Sequence, residues 1–343
     1  MPELRHDPLH RRWVIIASER ARRPSEFEVE VTQQPADFCP FCPCNEDKTP
    51  PEIFAVRDGF SAPNSPGWSL RVVANKYPAL RIEGDLERSA DGLYDRMNGV
   101  GAHEVVIETP DHFRHMADQP PAHLARVIRA YRERLIDLRK DTRFLYVTIF
   151  RNYGELAGAT LSHPHSQLIA MPIVPRVLEI QLTSALEHYQ HRERCLICDM
   201  VRQERESGAR IVLETDKFVV FTPYASRSPF EVFIAPIQHQ HDLVEVSDGD
   251  TEALSLVLTE TLKKIRSALN DPPFNFIIHN SPNLKSRSIW IEKFPWIVEG
   301  YHWHLSIVPR LTRTAGFEWG TGFDINPTPP EMAAEYLRRA DIS

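Results

Sequence analysis

The stretch Ser162-His163-Pro164-His165-Ser166-Gln167-Leu168-Ile169-Ala170 sets two imidazoles two residues apart and runs on into apolar residues that read as a buried strand. Residues i and i+2 of a strand share a face. His163, His165 and Gln167 are therefore expected to point the same way. Few packed cores need two imidazoles followed by a carboxamide, because each buried polar group must find a partner. The row suits a site in which one ring is held and its neighbour reacts.

Working outward, the same pattern returns near the C-terminus as His302-Trp-His304-Leu-Ser-Ile-Val-Pro309. Upstream, His103-Glu-Val-Val-Ile-Glu-Thr-Pro-Asp-His112 reappears as Phe230-Glu-Val-Phe-Ile-Ala-Pro-Ile-Gln-His239, each an apolar strand ending in a His. An amphipathic helix is expected after each. Its stripe is Leu124, Val127, Ile128, Tyr131, Leu135 and Leu138 in the first copy, and Leu254, Val257, Leu258, Leu262, Ile265 and Leu269 in the second. A β-branched or aromatic strand follows, Phe144–Phe150 and Phe274–Ile278. Two Cys-x-x-Cys pairs, Cys39/Cys42 and Cys195/Cys198, head the two copies. Strands with a crossing helix and short returns make each half α+β. The chain reads as one α+β unit built twice, with antiparallel sheets flanked by helices, residues 1–180 and then 181–343. The junction falls near 175–190, and the proline-rich stretches 35–66 and 326–330 read as loops.

Two thiols and two imidazoles per half suit tetrahedral Zn²⁺. The first expected site is Cys39, Cys42, His112 and His163; the second is Cys195, Cys198, His239 and His302. A thioredoxin-like redox pair would want a helix start after a strand. The prolines at 35, 40 and 43 make a loop the better reading around Cys39. With all four positions taken by protein, the expected role is structural, two zinc ions per chain. Cys44 reads as a bystander thiol. His6, His10, His115, His123, His188 and His191 lie among charged residues and read as solvated, while His103, His241 and His279 lie near strand ends and are secondary candidates for the neighbourhood of the site, with no role assigned.

Composition narrows the class. The 343 residues carry 40 Lys+Arg against 47 Asp+Glu, a net charge of −7, which argues against bulk electrostatic binding of nucleic acid. No apolar run reaches transmembrane length, and Met1-Pro-Glu-Leu-Arg-His-Asp7 lacks the apolar segment of a signal peptide. The expectation is a soluble cytoplasmic protein with no membrane partner.

If His163 is committed to metal, His165 is free to react. A neutral imidazole is a good nucleophile towards phosphorus. Gln167 can steady a phosphoryl oxygen but cannot act as a general acid. That pairing suits a leaving group needing no proton, such as a sugar 1-phosphate, and transfer through a covalent nucleotidyl-histidine. His304 holds the matching place in the second half, but Leu-Ser follows it in place of Ser-Gln. A supporting or degenerate role is expected for it.

The chain resembles the galactose-1-phosphate uridylyltransferases of the histidine-triad superfamily over most of its length. The markers are Cys39-Pro-Phe-Cys-Pro-Cys-Asn-Glu46, Asn75-Lys-Tyr-Pro-Ala-Leu80, Thr109-Pro-Asp-His112, Asn152 through Gly158, and His163-Pro-His-Ser-Gln167. The resemblance implies a duplicated histidine-triad fold, a homodimer and a ping-pong reaction with nucleotide sugar and hexose 1-phosphate as partners. It makes His165 the nucleophile and Gln167 the group that holds the intermediate. It places nucleotide contacts at Asn75, Asn152, Gly158, Thr160 and Gln167, and phosphate contacts at Arg20 and Arg23, where an arginine fork fits phosphate oxygens. It also implies zinc ligation by Cys39, Cys42, His112 and His163. UDP-glucose and galactose 1-phosphate are the expected pair. Three differences, Lys76-Tyr77, the segment Glu318–Asn326 and the presence of the second Cys-x-x-Cys that some members lack, make the chain similar to the branch that includes plant ADP-glucose phosphorylase. Adenylyl transfer from ADP-glucose to phosphate is therefore the alternative. A third expectation, of another class, is a zinc-stapled nucleotide-binding module without turnover.

Overall fold

Both amphipathic stripes form helices, α1 (Pro121–Leu138) and α4 (Asp248–Leu269), and every stripe residue named above is buried. Ser247 caps α4 by accepting from the Asp250 N–H, and Asp250 reaches back to the Ser247 N–H. The computed structural model describes residues 1–20, 23–27, 38–286 and 295–342.

The two helices lie side by side on one face of a ten-stranded antiparallel sheet. The first half supplies β3 (Glu52–Arg57), β4 (Trp68–Ala74), β7 (Ala102–Ile107), β8 (Tyr146–Tyr153) and β9 (His165–Met171). The second supplies β10 (Ile211–Glu214), β11 (Phe218–Phe221), β12 (Val232–Pro236), β13 (Phe274–His279) and β14 (His304–Pro309). The order is β10-β11-β12-β14-β13-β8-β9-β7-β4-β3. Reading outward from the central β13–β8 pair, each half repeats the same succession of strands. That pair aligns Asn275 with Asn152 and Phe276 with Arg151. One apolar core runs through both halves, from Leu70 and Val72 through Val147, Leu168 and Phe276 to Leu305 and Val232.

Two shorter sheets lie apart from the ten-stranded one among the described residues. The hairpin β1 (Glu3–Asp7) and β2 (Arg12–Ile16) pairs with β15 (Asp324–Asn326), the last of these in parallel with β2. β5 (Ser89–Asp91) and β6 (Tyr94–Arg96) form an exposed hairpin. Two helices, α2 (Arg176–Arg192) and α3 (Leu196–Ser207), follow β9. No helix of the described residues is long and apolar enough to cross a membrane.

Three expectations need correction. The proline-rich stretch 35–66 is not all loop: β3 lies inside it, as an edge strand where Pro50 and Pro51 precede the ladder. The strand expected at Phe144–Phe150 runs from Tyr146 to Tyr153. The strand of the opening motif begins at His165, so His163 stands just before it.

Candidate active site

Alternation along β9 decides which residues face helix and which face outward. Ser166, Leu168 and Ala170 are buried towards α1, where the Ser166 hydroxyl meets the Tyr131 hydroxyl at 2.6 Å. His165 and Gln167 occupy the opposite face. On β7 the same face carries His103, Val105 and Ile107, and on β8 it carries Phe150 and Asn152. The register sets Gln167 beside Val105 and Phe150, which brings His103 and Asn152 to either side of the row.

His165 is 7% exposed. Its Nδ1–H donates to the His163 carbonyl at 2.8 Å, so in the neutral ring the lone pair sits on Nε2. Burial pulls its pKa below the ordinary imidazole value, against the opposing pull of that carbonyl bond, and the ring is neutral at pH 7. Phe41 packs edge-on against it, ring centres 5.4 Å apart. The Gln167 Oε1 accepts from His103 Nε2–H at 2.8 Å, which leaves the Gln167 NH₂ as the end of its carboxamide without a partner among the described residues.

The loop after β8 borders this row. Gly154 has φ +81°, and a Cβ there would lie 2.8 Å from the Pro273 Cβ, so only glycine lets the chain turn against the second half. Gly158, at φ +87°, ends the 3₁₀ turn Glu155–Ala157. Asn275 of β13 donates from Nδ2 to both Asn152 Oδ1 and the Ala157 carbonyl, each at 2.8 Å. Thr160 is exposed beyond this turn.

Just before β9, the expected Cys₂His₂ groups assemble. Cys39, Cys42, His112 and His163 place one ligand atom each within 4.8 Å of one another, and Cys195, Cys198, His239 and His302 do the same. Tetrahedral zinc, with Zn–S about 2.3 Å and Zn–N about 2.0–2.1 Å, puts sulfur and nitrogen about 3.6 Å apart. In the first group the Sγ–Nδ1 distances are 3.3 Å (Cys42–His112), 3.6 Å (Cys42–His163) and 3.7 Å (Cys39–His163). In the second they are 3.2 Å (Cys198–His239) and 3.3 Å (Cys198–His302). The other nitrogen of His163 donates to the Thr109 carbonyl, and that of His239 to the Val298 carbonyl, both at 2.8 Å. Such bonds turn each Nδ1 lone pair towards the thiols. Both donor sets can hold a tetrahedral metal. Cys44 is exposed and outside either group. The second pair sits at a helix start, with Cys195 as the cap of α3, yet it follows a helix rather than a strand.

The equivalent face of the second half is filled. His304 repeats the geometry of His165, its Nδ1 3.2 Å from the His302 carbonyl, but it is fully buried. Its ring is stacked between Phe233 (4.4 Å) and His279 (4.5 Å). Gln181 of α2 contacts His279 and His10, and Leu9 of the amino-terminal hairpin packs with Phe233 and α3. No ligand could reach this ring without unpacking those elements.

Several histidines read as solvated are not. His115 is buried, and its Nδ1 accepts from the Ala117 N–H. His10 is tied to Asp7 and Gln181, and His123 donates to the Glu108 carbonyl. His10 meets its charged neighbour Asp7 within a turn, His115 caps the 3₁₀ turn Met116–Asp118, and His123 stands in the first turn of α1, so each ring is held by local backbone or side-chain groups. His103, a secondary candidate for the neighbourhood of the site, lies against Gln167, on the period-two face of β7. Arg23 is exposed, and its backbone N–H meets Glu26. The side chain of Arg20 lies outside the described residues.

Residues 1–175 match the family model for the galactose-1-phosphate uridyl transferase N-terminal domain, and residues 181–316 match that for its C-terminal domain. The chain is 35% identical to the ADP-glucose phosphorylase of Arabidopsis thaliana over 347 residues, covering 100% of this chain and 94% of that protein. It is 27% identical to the galactose-1-phosphate uridylyltransferase of Thermotoga maritima over 350 residues, covering 100% and 99%. The crystal structure of the Arabidopsis thaliana ADP-glucose phosphorylase with bound ADP-glucose is similar with a TM-score of 0.82 at 34% identity, covering 99% and 100% of the two chains. A uridylyltransferase mutant structure gives 0.74 at 25% identity, covering 98% of each chain.

Proposed function

Because this chain belongs to the galactose-1-phosphate uridyl transferase family, we propose that it is a hexose-1-phosphate nucleotidyltransferase working by ping-pong through a nucleotidyl-His165. The observation that carries this is the orientation of one ring: Nδ1–H of His165 is held by the His163 carbonyl, and Nε2 is left to attack on the face shared with Gln167. In the first half-reaction Nε2 bonds to the α-phosphorus of a nucleoside diphosphate hexose. The bond from phosphorus to the bridging oxygen breaks, and hexose 1-phosphate leaves as an anion that needs no proton. The Nδ1–H bond to the carbonyl persists and stabilises the positive charge that develops on the ring. The free NH₂ of Gln167 donates to a phosphoryl oxygen. In the second half-reaction an acceptor phosphate takes the nucleotidyl group from Nε2.

Asn75, Asn152, Gly158 and Thr160 are assigned to the nucleotide, and Arg20 and Arg23 to phosphate. Each Cys₂His₂ group is assigned one zinc ion, whose chemistry would be structural: with four protein ligands no position would remain for substrate, and His163, as one of them, would be held beside the nucleophile. The nucleophile belongs to residues 1–180, with 181–343 as the second half. A cytoplasmic homodimer completes the reading.

The family matches support UDP-glucose and galactose 1-phosphate as the substrates. Adenylyl transfer from ADP-glucose to phosphate is the second reading, supported by the 35% identity to the Arabidopsis thaliana enzyme and by Lys76-Tyr77 and Glu318. Intact-mass measurement after incubation with UDP-glucose or ADP-glucose, without acceptor, separates them, since uridylyl and adenylyl adducts differ in mass. His165→Ala is expected to form neither; an undiminished adduct in that variant refutes the nucleophile. Nucleotide affinity with no adduct in the wild type would leave a binding module without turnover.

A further inference from the structure

We propose that His103 is a positioning residue that fixes which end of the Gln167 carboxamide faces the transferred phosphoryl group. The inference rests on the nucleotidyl-His165 reading and adds a residue to it.

A carboxamide has two chemically opposite ends, an acceptor oxygen and a donor NH₂. A phosphoryl oxygen needs the donor. Turning the Gln167 side chain over would present its carbonyl oxygen instead and repel the developing negative charge. Something must hold one orientation before substrate arrives, or part of the binding free energy goes into selecting it.

The fixed point is a backbone amide. The Ala79 N–H can only donate, and it lies 3.1 Å from His103 Nδ1. That nitrogen therefore carries the lone pair, and in the neutral ring the proton is on Nε2. Nε2 is 2.8 Å from Gln167 Oε1. If the carboxamide were reversed, Nε2–H would meet NH₂, donor against donor. The polarity therefore runs one way, from the Ala79 amide through the imidazole to the Gln167 oxygen, and it leaves the NH₂ for the ligand. This conclusion does not depend on how the glutamine oxygen and nitrogen are assigned.

The surrounding structure keeps the ring in place. β7 and β9 pair with His103 opposite Ile169 and Val105 opposite Gln167, so the contact is a same-face diagonal within reach of both side chains. The Asn75 N–H donates to the His103 carbonyl at 2.7 Å, and Asn75 Oδ1 accepts from the Tyr77 N–H at 2.9 Å. The Asn75 NH₂, whose Oδ1 is taken by the Tyr77 N–H, lies 3.1 Å from the same Nε2; with the proton on Nε2 this is a close approach of two donors and not a hydrogen bond, so the link from the 75–79 segment runs through the Ala79 N–H. His103 thus joins the 75–79 segment to the glutamine beside the nucleophile.

The test measures how fast the covalent adduct appears in a rapid-quench intact-mass experiment, using whichever of UDP-glucose and ADP-glucose labels the wild type. His103→Ala is expected to slow adduct formation about tenfold with little change in the concentration dependence. His103→Gln, which can accept from Ala79 and donate to Gln167, is expected to stay within about threefold of wild type. In a Gln167→Ala background, adding His103→Ala is expected to cost nothing further, because the residue it positions is gone. Bound metal and Tm report whether each variant folds. Absence of any adduct in the wild type defeats the nucleophile reading on which this stands. A wild-type adduct together with an undiminished rate in His103→Ala, or the same fold loss in the Gln167→Ala background, defeats the role of His103 alone.

Discussion

Asn275 belongs to the second half, yet it supports the first half's site, and its removal gives a quantitative test of that dependence. Its Nδ2 makes two bonds of 2.8 Å, to Asn152 Oδ1 and to the Ala157 carbonyl. Each such bond contributes about 1 kcal/mol net, so Asn275→Ala is expected to cost about 2 kcal/mol of local order. If only the Asn152 bond matters for transfer, the rate falls about fivefold; if both are expressed in positioning the nucleotide, it falls about thirtyfold. Asn275→Asp keeps the shape but replaces the donor with a negatively charged acceptor facing two acceptors. It is expected to lose more than alanine does. Adduct formation by rapid-quench mass measurement gives the rate, and thermal unfolding gives the stability. If both variants transfer within about twofold of wild type, the second half does not position Asn152 and the dependence is refuted.

Other consequences can be checked with simpler measurements. His239→Ala removes one of four ligands, so metal analysis should fall from two ions per chain to one while adduct formation survives; retention of two would take His239 off the ligand set. His304→Ala empties the space between Phe233 and His279 and should cost about 2–4 kcal/mol in denaturant unfolding without slowing the adduct. A loss of transfer larger than the loss of folded protein would give that ring a role it is denied here. Acid should destabilise the fold through two buried rings. His115 is lowered to about 3 by burial and then by Arg151 and Arg266, and His279 to about 3 by burial and then by His10, Arg227 and Arg12. Below the unfolded value near 6.5 the unfolded chain takes up protons that the folded chain refuses. Stability present above pH 6.5 is therefore lost as pH falls towards 3, by about 2 kcal/mol per ring at pH 5. Replacing His279 by Gln should flatten that slope in equilibrium unfolding, and an unchanged slope would count against it.

Much of this protein is written locally. The two helical stripes, the Cys-x-x-Cys pairs and the His-x-His strands repeat in order, so a duplicated α+β unit with two Cys₂His₂ groups is legible from spacing and residue type. The alternation of β9 also tells that His165 and Gln167 share a face, because a strand's period is two whatever it pairs with. Contacts created by strand pairing could not be read this way. His103 is 64 positions from Gln167, and Asn275 is 123 from Asn152. Whether such groups meet depends on which strands are neighbours and on their register, and a shift of one residue would turn each to the other face.

The sequence by itself determined the chemistry on offer: which rings could bind metal, which could react, and that the His-x-His strand and the Cys₂His₂ set occur twice while the glutamine occurs once. Only the tertiary structure decided that the two copies differ in access. Leu9 and His10 of the amino-terminal hairpin, with α2 and α3, close over His304, while His165 keeps a lone pair on an outward face. Equivalent imidazoles are set apart by what packs over them, and packing between distant segments has no local signature in the chain.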